Sequence, residues 1–205
     1  MQRRILERLE QAGVGVNEDQ ALQLATYLEL MKQWNAVYNL TGITDDDEMI
    51  GRHLIESLAF GPYLKGKQIA DVGSGAGLPG IPLAVVFGDR SYTLIESRAK
   101  RVRFLRHVCG VLKLGNTTVK ESRAENLKFE QLFDTVLARA VAAPPELLRI
   151  SQNLLAGDGV LLVLTKASFE KEVTSMGAGV QVRCIKDSVT STLQGSLVLI
   201  EKAAT

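Results

Sequence analysis

The chain has 205 residues, 24 Lys and Arg against 23 Asp and Glu, and a formal charge of +1, so no global field draws it to nucleic acid or a membrane. With 46% hydrophobic and 23% charged residues it has an ordinary globular composition, which excludes disordered and fibrous classes. A chain of this length buries about 70% of its unfolded surface, enough for one domain and an appendage. No apolar run approaches the ~18 residues of a membrane span. The start Met1-Gln2-Arg3-Arg4-Ile5-Leu6-Glu7 puts charge where a signal peptide needs apolar residues, so the expected location is cytoplasmic, without membrane contact. Cys109 and Cys184 lie in apolar periodic segments with no Cys-x-x-Cys or Cys/His cluster, which predicts neither a disulfide framework nor a metal site.

Residues 1–62 read as helices. Ile5, Leu6 and Leu9 recur at helical spacing, Gly13 and Gly15 interrupt, and Asn17 caps a longer run carrying Leu22, Leu24, Ala25, Leu28, Leu30, Met31, Trp34 and Val37. That run ends near Asn39-Leu40-Thr41-Gly42. Thr44 followed by Asp45-Asp46-Asp47-Glu48 marks the start of a third helix, reaching to about Phe60, because carboxylates favour the positive end of the helix dipole. A metal site is the alternative for these acids, but no glycine-punctuated calcium loop follows.

From Lys67 onward short apolar runs alternate with amphipathic helical segments. The runs are Ile69-Ala70-Asp71-Val72, Tyr92-Thr93-Leu94-Ile95, Thr117-Thr118-Val119, Phe133-Asp134-Thr135-Val136-Leu137 and Val160-Leu161-Leu162-Val163-Leu164. Such alternation predicts an α/β fold with a parallel sheet covered on both faces. Two further runs, Val180 to Ile185 and Leu197 to Ile200, are too close for a crossover helix, so the last strand pair should be antiparallel. The helical segment 1–62 is expected to pack directly on a sheet domain of residues 63–205.

The informative stretch is Asp71-Val72-Gly73-Ser74-Gly75-Ala76-Gly77-Leu78-Pro79-Gly80-Ile81-Pro82-Leu83-Ala84. A glycine-rich turn between strand and helix lets backbone approach a ligand at the carboxyl edge of the sheet, where such folds bind nucleotides. Gly75-Ala76-Gly77-Leu78-Pro79-Gly80 spells the dinucleotide fingerprint, but out of register: there the first glycine directly follows the strand, a place held here by Gly73. The order acid-x-Gly-x-Gly-x-Gly from Asp71 resembles motif I of S-adenosylmethionine-dependent methyltransferases. That resemblance implies a Rossmann-like, seven-stranded fold and makes Asp71, Gly73, Ser74, Gly75, Gly77 and Leu78 candidate cofactor-binding residues. Glu96, ending the second strand, is the expected acceptor for ribose hydroxyls in either cofactor class, and the antiparallel last pair favours the methyltransferase. Ala124 and Glu125, after the third strand, occupy the place where this fold holds adenine, with a solvated helix cap as the alternative for Glu125.

The methyl acceptor is narrowed by elimination. After the fourth strand Leu137-Ala138-Arg139-Ala140-Val141 lacks the Asn/Asp-Pro-Pro-aromatic motif used for exocyclic adenine amines. A pyrimidine C5 needs a cysteine nucleophile, whereas Cys109 lies in the apolar stripe of Val102, Leu105, Val108 and Leu112. The Lys-Asp-Lys-Glu set of ribose methylation cannot be assembled. What remains is an acceptor with a free lone pair, such as guanine N7, which releases no proton and needs only positioning. The helix after Glu96 carries Arg98, Lys100, Arg101, Arg103 and Arg106 with no acid between them, a local basic face suited to phosphate although a solvated face has the same pattern. Arg101 falls beside the stripe and can turn toward the sheet edge. With Arg123, Arg139 and Lys166 at expected carboxyl ends of strands, cations gather round the cofactor mouth.

Taken together, Trp34-Asn35, Tyr38-Asn39-Leu40-Thr41, Arg52-His53-Leu54 with Glu56-Ser57, the long glycine motif, Lys100-Arg101 with Phe104-Leu105, Ser122-Arg123-Ala124-Glu125 and Ala138-Arg139-Ala140 give the chain a close similarity to one family. It resembles, over essentially its whole length, the bacterial small-subunit ribosomal RNA guanine-N7 methyltransferases of the glucose-inhibited division protein B type. The resemblance implies S-adenosylmethionine as cofactor and 16S ribosomal RNA as partner, within the 30S subunit or an assembly intermediate. It also implies guanine 527 in the 530 loop as acceptor, and low-level streptomycin resistance when the mark is lost. It implies Arg139, Arg123, His53 and Asn39 as positioning residues at the reacting centre, none a general base. Arg139 also serves the cofactor, and Lys100, Arg101, Arg103, Arg106 and Lys166 are RNA contacts. Without the family, His53 reads as a packed helix histidine and Asn39 as a helix C-cap. Two departures are visible: Glu56 stands where the family usually has Asp, and Ala167 follows Lys166 where it usually has Gly. A monomer is expected. The alternatives are a methyltransferase for another RNA or a small molecule, and a noncatalytic nucleotide- or RNA-binding module that retains the loop.

Overall fold

The computed structural model describes residues 1–129, 132–139, 144–165, 179–186 and 193–202. Ala140, Lys166 and Ala167 therefore lie outside the described residues, Lys166 with its expected RNA contact among them.

The sheet runs β1 (Gln68–Val72), β2 (Ser91–Glu96), β3 (Thr117–Glu121), β4 (Phe133–Arg139), β5 (Leu155–Thr165), β6 (Val180–Ile185) and β7 (Ser196–Lys202). Its seven strands lie in the order β3-β2-β1-β4-β5-β7-β6. Strands β1 to β5 are parallel, and β7 is antiparallel to both neighbours, as the short connection from β6 requires. The central strands β1 and β4 are buried on both faces, which is why they read as continuous apolar runs; edge strand β3 is largely exposed. Strand order reverses between β1 and β4, and the connections leave on opposite sides there, opening a crevice above their carboxyl ends.

One strand departs from expectation. β5 begins at Leu155, not Val160, because the pairing jumps from Phe133 opposite Leu155 to Thr135 opposite Val160. Gly157-Asp158-Gly159 lies in the bulge that this jump in pairing makes within the strand.

Helices α1 (Gln2–Gln11) and α2 (Glu18–Tyr38) belong to the same apolar core as one face of the sheet: Ile5, Leu9, Leu24, Leu28 and Met31 join Ile69, Ile81, Leu94 and Leu105. Asn17 opens α2 with a capping box, its side chain accepting from the Gln20 amide at 2.8 Å while the Gln20 side chain accepts from the Asn17 amide at 3.0 Å. The side-chain Nε2 groups of Gln20 and Gln23 donate to Val86 O (3.1 Å) and Leu112 O (3.0 Å), carbonyls at the ends of the two sheet-covering helices α5 (Gly80–Val86) and α6 (Ala99–Val111). Leu22 and Val37, counted with the apolar face of α2, are 52% and 72% exposed; the inward positions belong instead to Tyr27 and its neighbours.

The third helix is not uniform. α3 (Asp46–Met49) passes into a π-helical segment, Ile50–Ile55, then α4 (Glu56–Leu58) and a 3₁₀ turn, Gly61–Tyr63. A period of 3.6 residues cannot reveal such a widened segment, a feature frequent at functional sites. Asp45 caps it by accepting from the Glu48 amide at 2.9 Å, Asp46 pairs with Lys32, and Asp47 pairs with Arg4 at 3.8 Å. The acidic cluster is thus a helix cap and a set of ion pairs. Helix α7 (Pro144–Ser151) connects β4 to β5. Among the described residues no helix is long and apolar enough to cross a membrane.

Candidate active site

The turn after β1 is built from backbone that L side chains rarely adopt: φ is +67° at Gly73, +59° at Gly75 and +91° at Gly77. The Gly73 and Ser74 amides both donate to Ile95 O, at 2.8 and 3.1 Å, and the Ser74 hydroxyl donates to Asp71 O at 2.8 Å. Gly73 and Gly75 face the crevice. Gly77 does not: a Cβ there would collide with Ile81 and meet Leu105, so this glycine serves packing against α5 and α6. At Gly80 a Cβ would strike Leu94 and lie 2.7 Å from Asp71 Oδ2.

Asp71 likewise turns inward. It is 1% exposed, and its Oδ2 accepts the Gly80 amide at 3.0 Å, tying β1 to the first turn of α5. Burial outweighs that hydrogen bond and pushes its carboxyl up to about 7, while Oδ1 has no partner. The structure therefore makes Asp71 a support of the loop and does not bring it to the cleft wall.

Above the carboxyl ends of β1, β2 and β4 lies a cleft of about 470 Å³. Its walls are Gly73, Ser74, Gly75, Ala76 and Leu78 of the turn, Glu96, Ser97, Arg98 and Arg101 after β2, Leu40, Thr41 and His53 of the N-terminal helices, and Arg139 at the end of β4. Glu96, 4% exposed, accepts the Gly75 amide at 3.0 Å through Oε2 and the Arg98 amide at 2.8 Å through Oε1. Arg101 Nη1 lies 3.6 Å from Oε2, so this arginine turns into the site and leaves the outer basic face.

Arg139 Nη2 donates to Glu56 Oε2 at 2.7 Å, and Glu56 Oε1 lies 4.0 Å from Arg52 Nε and 3.5 Å from the Gln194 amide. Nη1 of Arg139 is buried without a partner. His53, 4% exposed, has Nε2 3.0 Å from the Thr41 hydroxyl and an unpartnered Nδ1. Burial and the Arg139 charge lower its pKa to about 4, so it is neutral at pH 7. Asn39, in the left-handed region at φ +51°, is the exposed C-cap of α2; its turn delivers Leu40 and Thr41 to the cleft, but Asn39 does not line it. The Thr41 amide donates to Asn35 Oδ1 at 2.9 Å, which fixes the turn.

Other expected residues stay apart from this wall. Arg123 and Glu125 are exposed and Ala124 is buried at the 3₁₀ turn Ala124–Asn126; none of the three lines the cleft. Lys100, Arg103 and Arg106 point outward on α6, where Arg106 pairs with Glu121 at 3.4 Å. Sequence reasoning missed three contributors. Tyr27, fully buried on α2, donates to Ala76 O at 2.7 Å and anchors the glycine turn; its helical spacing marks it only as core. Thr41 holds His53, and Glu56 holds Arg139 across 83 residues of sequence, a pairing without a local signal.

The cleft suits a ligand with vicinal hydroxyls and an amino-acid moiety. Glu96 is a buried acceptor at its wall, Gly73 and Gly75 expose backbone, and the free Nη1 of Arg139 matches a carboxylate. This site on this sheet order defines a Rossmann-like S-adenosylmethionine-dependent methyltransferase. Solved structures share the fold: a SAM-dependent methyltransferase from Aquifex aeolicus aligns with a TM-score of 0.58 at 17% identity, covering 77% of this chain and 94% of that one. The ribosomal protein L11 methylase from Lactobacillus delbrueckii aligns at 0.58 and 12%, covering 79% and 81%.

The chain belongs to the rRNA small subunit methyltransferase G (GidB) family, whose model matches residues 20–200. It is 36% identical to ribosomal RNA small subunit methyltransferase G of Photobacterium profundum over 98% of this chain and 97% of that one. To the protein of that name from Klebsiella pneumoniae it is 38% identical, over 94% and 93%.

Proposed function

We propose that this chain transfers the methyl group of S-adenosylmethionine to N7 of guanine 527 in 16S ribosomal RNA, acting as a cytoplasmic monomer on the 30S subunit or an assembly intermediate. Membership in the rRNA methyltransferase family carries the reading of the substrate class. For the chemistry, the carrying observation is that the cleft holds a histidine whose pKa burial lowers to about 4 and an arginine with a free N–H, while Glu96, the carboxylate among the described lining residues, is engaged by the Gly75 and Arg98 amides.

S-adenosylmethionine, when bound, supplies a methyl group on a positively charged sulfur. The residues do the rest by placement. Glu96 would accept the ribose hydroxyls, Gly73 and Gly75 would let the backbone approach, and Arg139 would offer Nη1 to the amino-acid carboxylate or to guanine O6. Glu56 holds that guanidinium in one orientation. His53, kept in place by Thr41, offers an uncharged edge, so it adds no second positive charge beside Arg139 against a cationic product. N7 already presents a lone pair in the base plane, so nothing need remove a proton, and alignment supplies the rate. Arg123, Ala124 and Glu125 follow the carboxyl end of β3 outside the cleft wall, and in this reading Arg123, which is exposed, meets RNA and the turn meets adenine. A loop guanine suits this chemistry because an A-form helix hides N7 in its deep major groove.

The test is methyl transfer to 16S RNA from a strain lacking the enzyme, with mass mapping of the product. A single N7-methylguanine in the 530 loop is expected. Transfer to another atom or another RNA refutes the acceptor, and binding without transfer favours a noncatalytic module.

A further inference from the structure

Where α2 ends beside α6, four rings gather outside the cleft. Trp34 lies 5.2 Å from Tyr38 with 31° between planes, 5.4 Å from His107 at 33°, and 5.6 Å from Phe104. Phe104 is fully buried and supplies the packing, whereas Tyr38 is half-buried and His107 is exposed. Lys100 Nζ and Arg103 stand over the Tyr38 ring, 5.9 and 6.0 Å from its centroid. The cations of α6 divide here: Arg101 is engaged by Glu96 and Arg106 by Glu121, while Lys100 and Arg103 have no carboxylate partner among the described residues. This patch is continuous with the cleft, because Leu40 and Thr41 follow Tyr38 into it and Arg98 and Arg101 enter it from the start of α6.

We infer that Tyr38, with Lys100 and Arg103, is a docking platform for an unpaired stretch of the RNA substrate, one base stacking on the ring while its flanking phosphates meet the two cations. The inference rests on the proposed RNA substrate. A surface of cations alone tracks the phosphates of any duplex; an aromatic face among cations is useful only where a base can leave its stack. The two cations sit near the ~6 Å limit of attraction to a ring. A phosphate therefore draws them aside at little loss and uncovers the ring. Charge complementarity selects RNA over a protein partner, since the carboxylate-free cations flank the ring on the side that leads to the cleft.

Trp34 is the only tryptophan of the chain, so intrinsic fluorescence reports on this patch directly. The full chain is titrated with an unstructured oligoribonucleotide, with the same sequence as a duplex, and with inorganic polyphosphate. The single strand is expected to bind more tightly than the duplex and to change Trp34 emission, while polyphosphate binds and leaves emission unchanged. Replacing Tyr38 by Leu should weaken single-strand binding by roughly tenfold and leave S-adenosylmethionine affinity unaltered; Tyr38→Phe, which keeps the ring, should bind like the wild type. Equal affinity of wild type for strand and duplex overturns the platform, as does a folded Tyr38→Leu that binds RNA normally. Should Tyr38→Leu not fold, the strand-versus-duplex comparison and Tyr38→Phe decide. Methyl transfer by the wild type separates the two readings: transfer to 16S RNA without any effect of Tyr38 refutes the platform alone, whereas absence of both RNA binding and transfer refutes the substrate as well.

Discussion

Replacing Glu96 by Gln tests the proposed cofactor acceptor with almost no change of shape. Both carboxylate oxygens are in use: Oε2 accepts the Gly75 amide at 3.0 Å and Oε1 the Arg98 amide at 2.8 Å, with Arg101 3.6 Å away. A glutamine has one acceptor oxygen, so in either orientation its NH₂ faces a backbone donor, and Arg101 loses its counter-charge. A hydrogen bond to a charged group contributes about 1.5–3 kcal/mol and an unsatisfied buried donor costs about 1–3 kcal/mol. The ribose hydroxyls lose an ionised acceptor, so the dissociation constant of S-adenosylmethionine should rise by roughly 10- to 150-fold, at 1.4 kcal/mol per tenfold. The strained backbone turn loses about 1–3 kcal/mol as well, which for a chain of this size lowers Tm by about 2–4 °C per kcal/mol. Calorimetric titration of the folded variant, alongside its melting curve, measures both. A dissociation constant within a factor of two of wild type on a folded Glu96→Gln protein refutes the placement of the cofactor's ribose; tight NADH binding would indicate a dinucleotide site.

Three further outcomes are expected. Lys100→Glu with Arg103→Glu should weaken RNA binding strongly, reduce the salt slope of log K by about two phosphate contacts, and spare cofactor affinity; an unchanged slope returns α6 to a solvated face. Single-turnover methyl transfer with saturating RNA and cofactor should be nearly flat from about pH 7 to 9 in wild type and in Arg139→Ala, the latter slower through misplacement. A log-linear rise with pH that His53→Gln or Arg139→Ala abolishes would reveal a base and refute the N7 argument. Stability supplies the last: His53 has its pKa lowered from 6.5 to about 4, so between those values the unfolded chain binds the extra proton and folding weakens as pH falls. Asp71, raised to about 7, acts in the opposite sense, but is common to wild type and variant. The stability of wild type relative to His53→Gln should therefore drop by about 3 kcal/mol between pH 6.5 and 4, read by urea unfolding; a constant difference shows that His53 is not buried in its neutral form.

The alternation of apolar runs and helices, the glycine turn and the acid at the end of β2 are local signals. Each depends on residues within one strand, one turn or one helix face, so the sequence alone carries the α/β class, the antiparallel last pair and the cofactor loop. It also distinguishes the basic side of α6 from its apolar stripe, because that is a matter of period. The division of labour inside these motifs is another matter. Gly73 and Gly77 are spelled alike, yet only the close approach of Ile81 and Leu105 makes Gly77 a packing residue. Asp71 belongs to the motif, yet its carboxyl turns to the Gly80 amide, nine positions on, because burial leaves it that donor and no solvent. Lys100 and Arg101 are adjacent and chemically similar, but one helical step of about 100° sends Arg101 to Glu96 and Lys100 to Tyr38. Glu56 meets Arg139, and Tyr27 meets Ala76, across 83 and 49 positions. Such contacts arise only when the N-terminal helices close over the sheet edge and exclude water there, which turns ordinary core and surface residues into the walls and supports of one cleft.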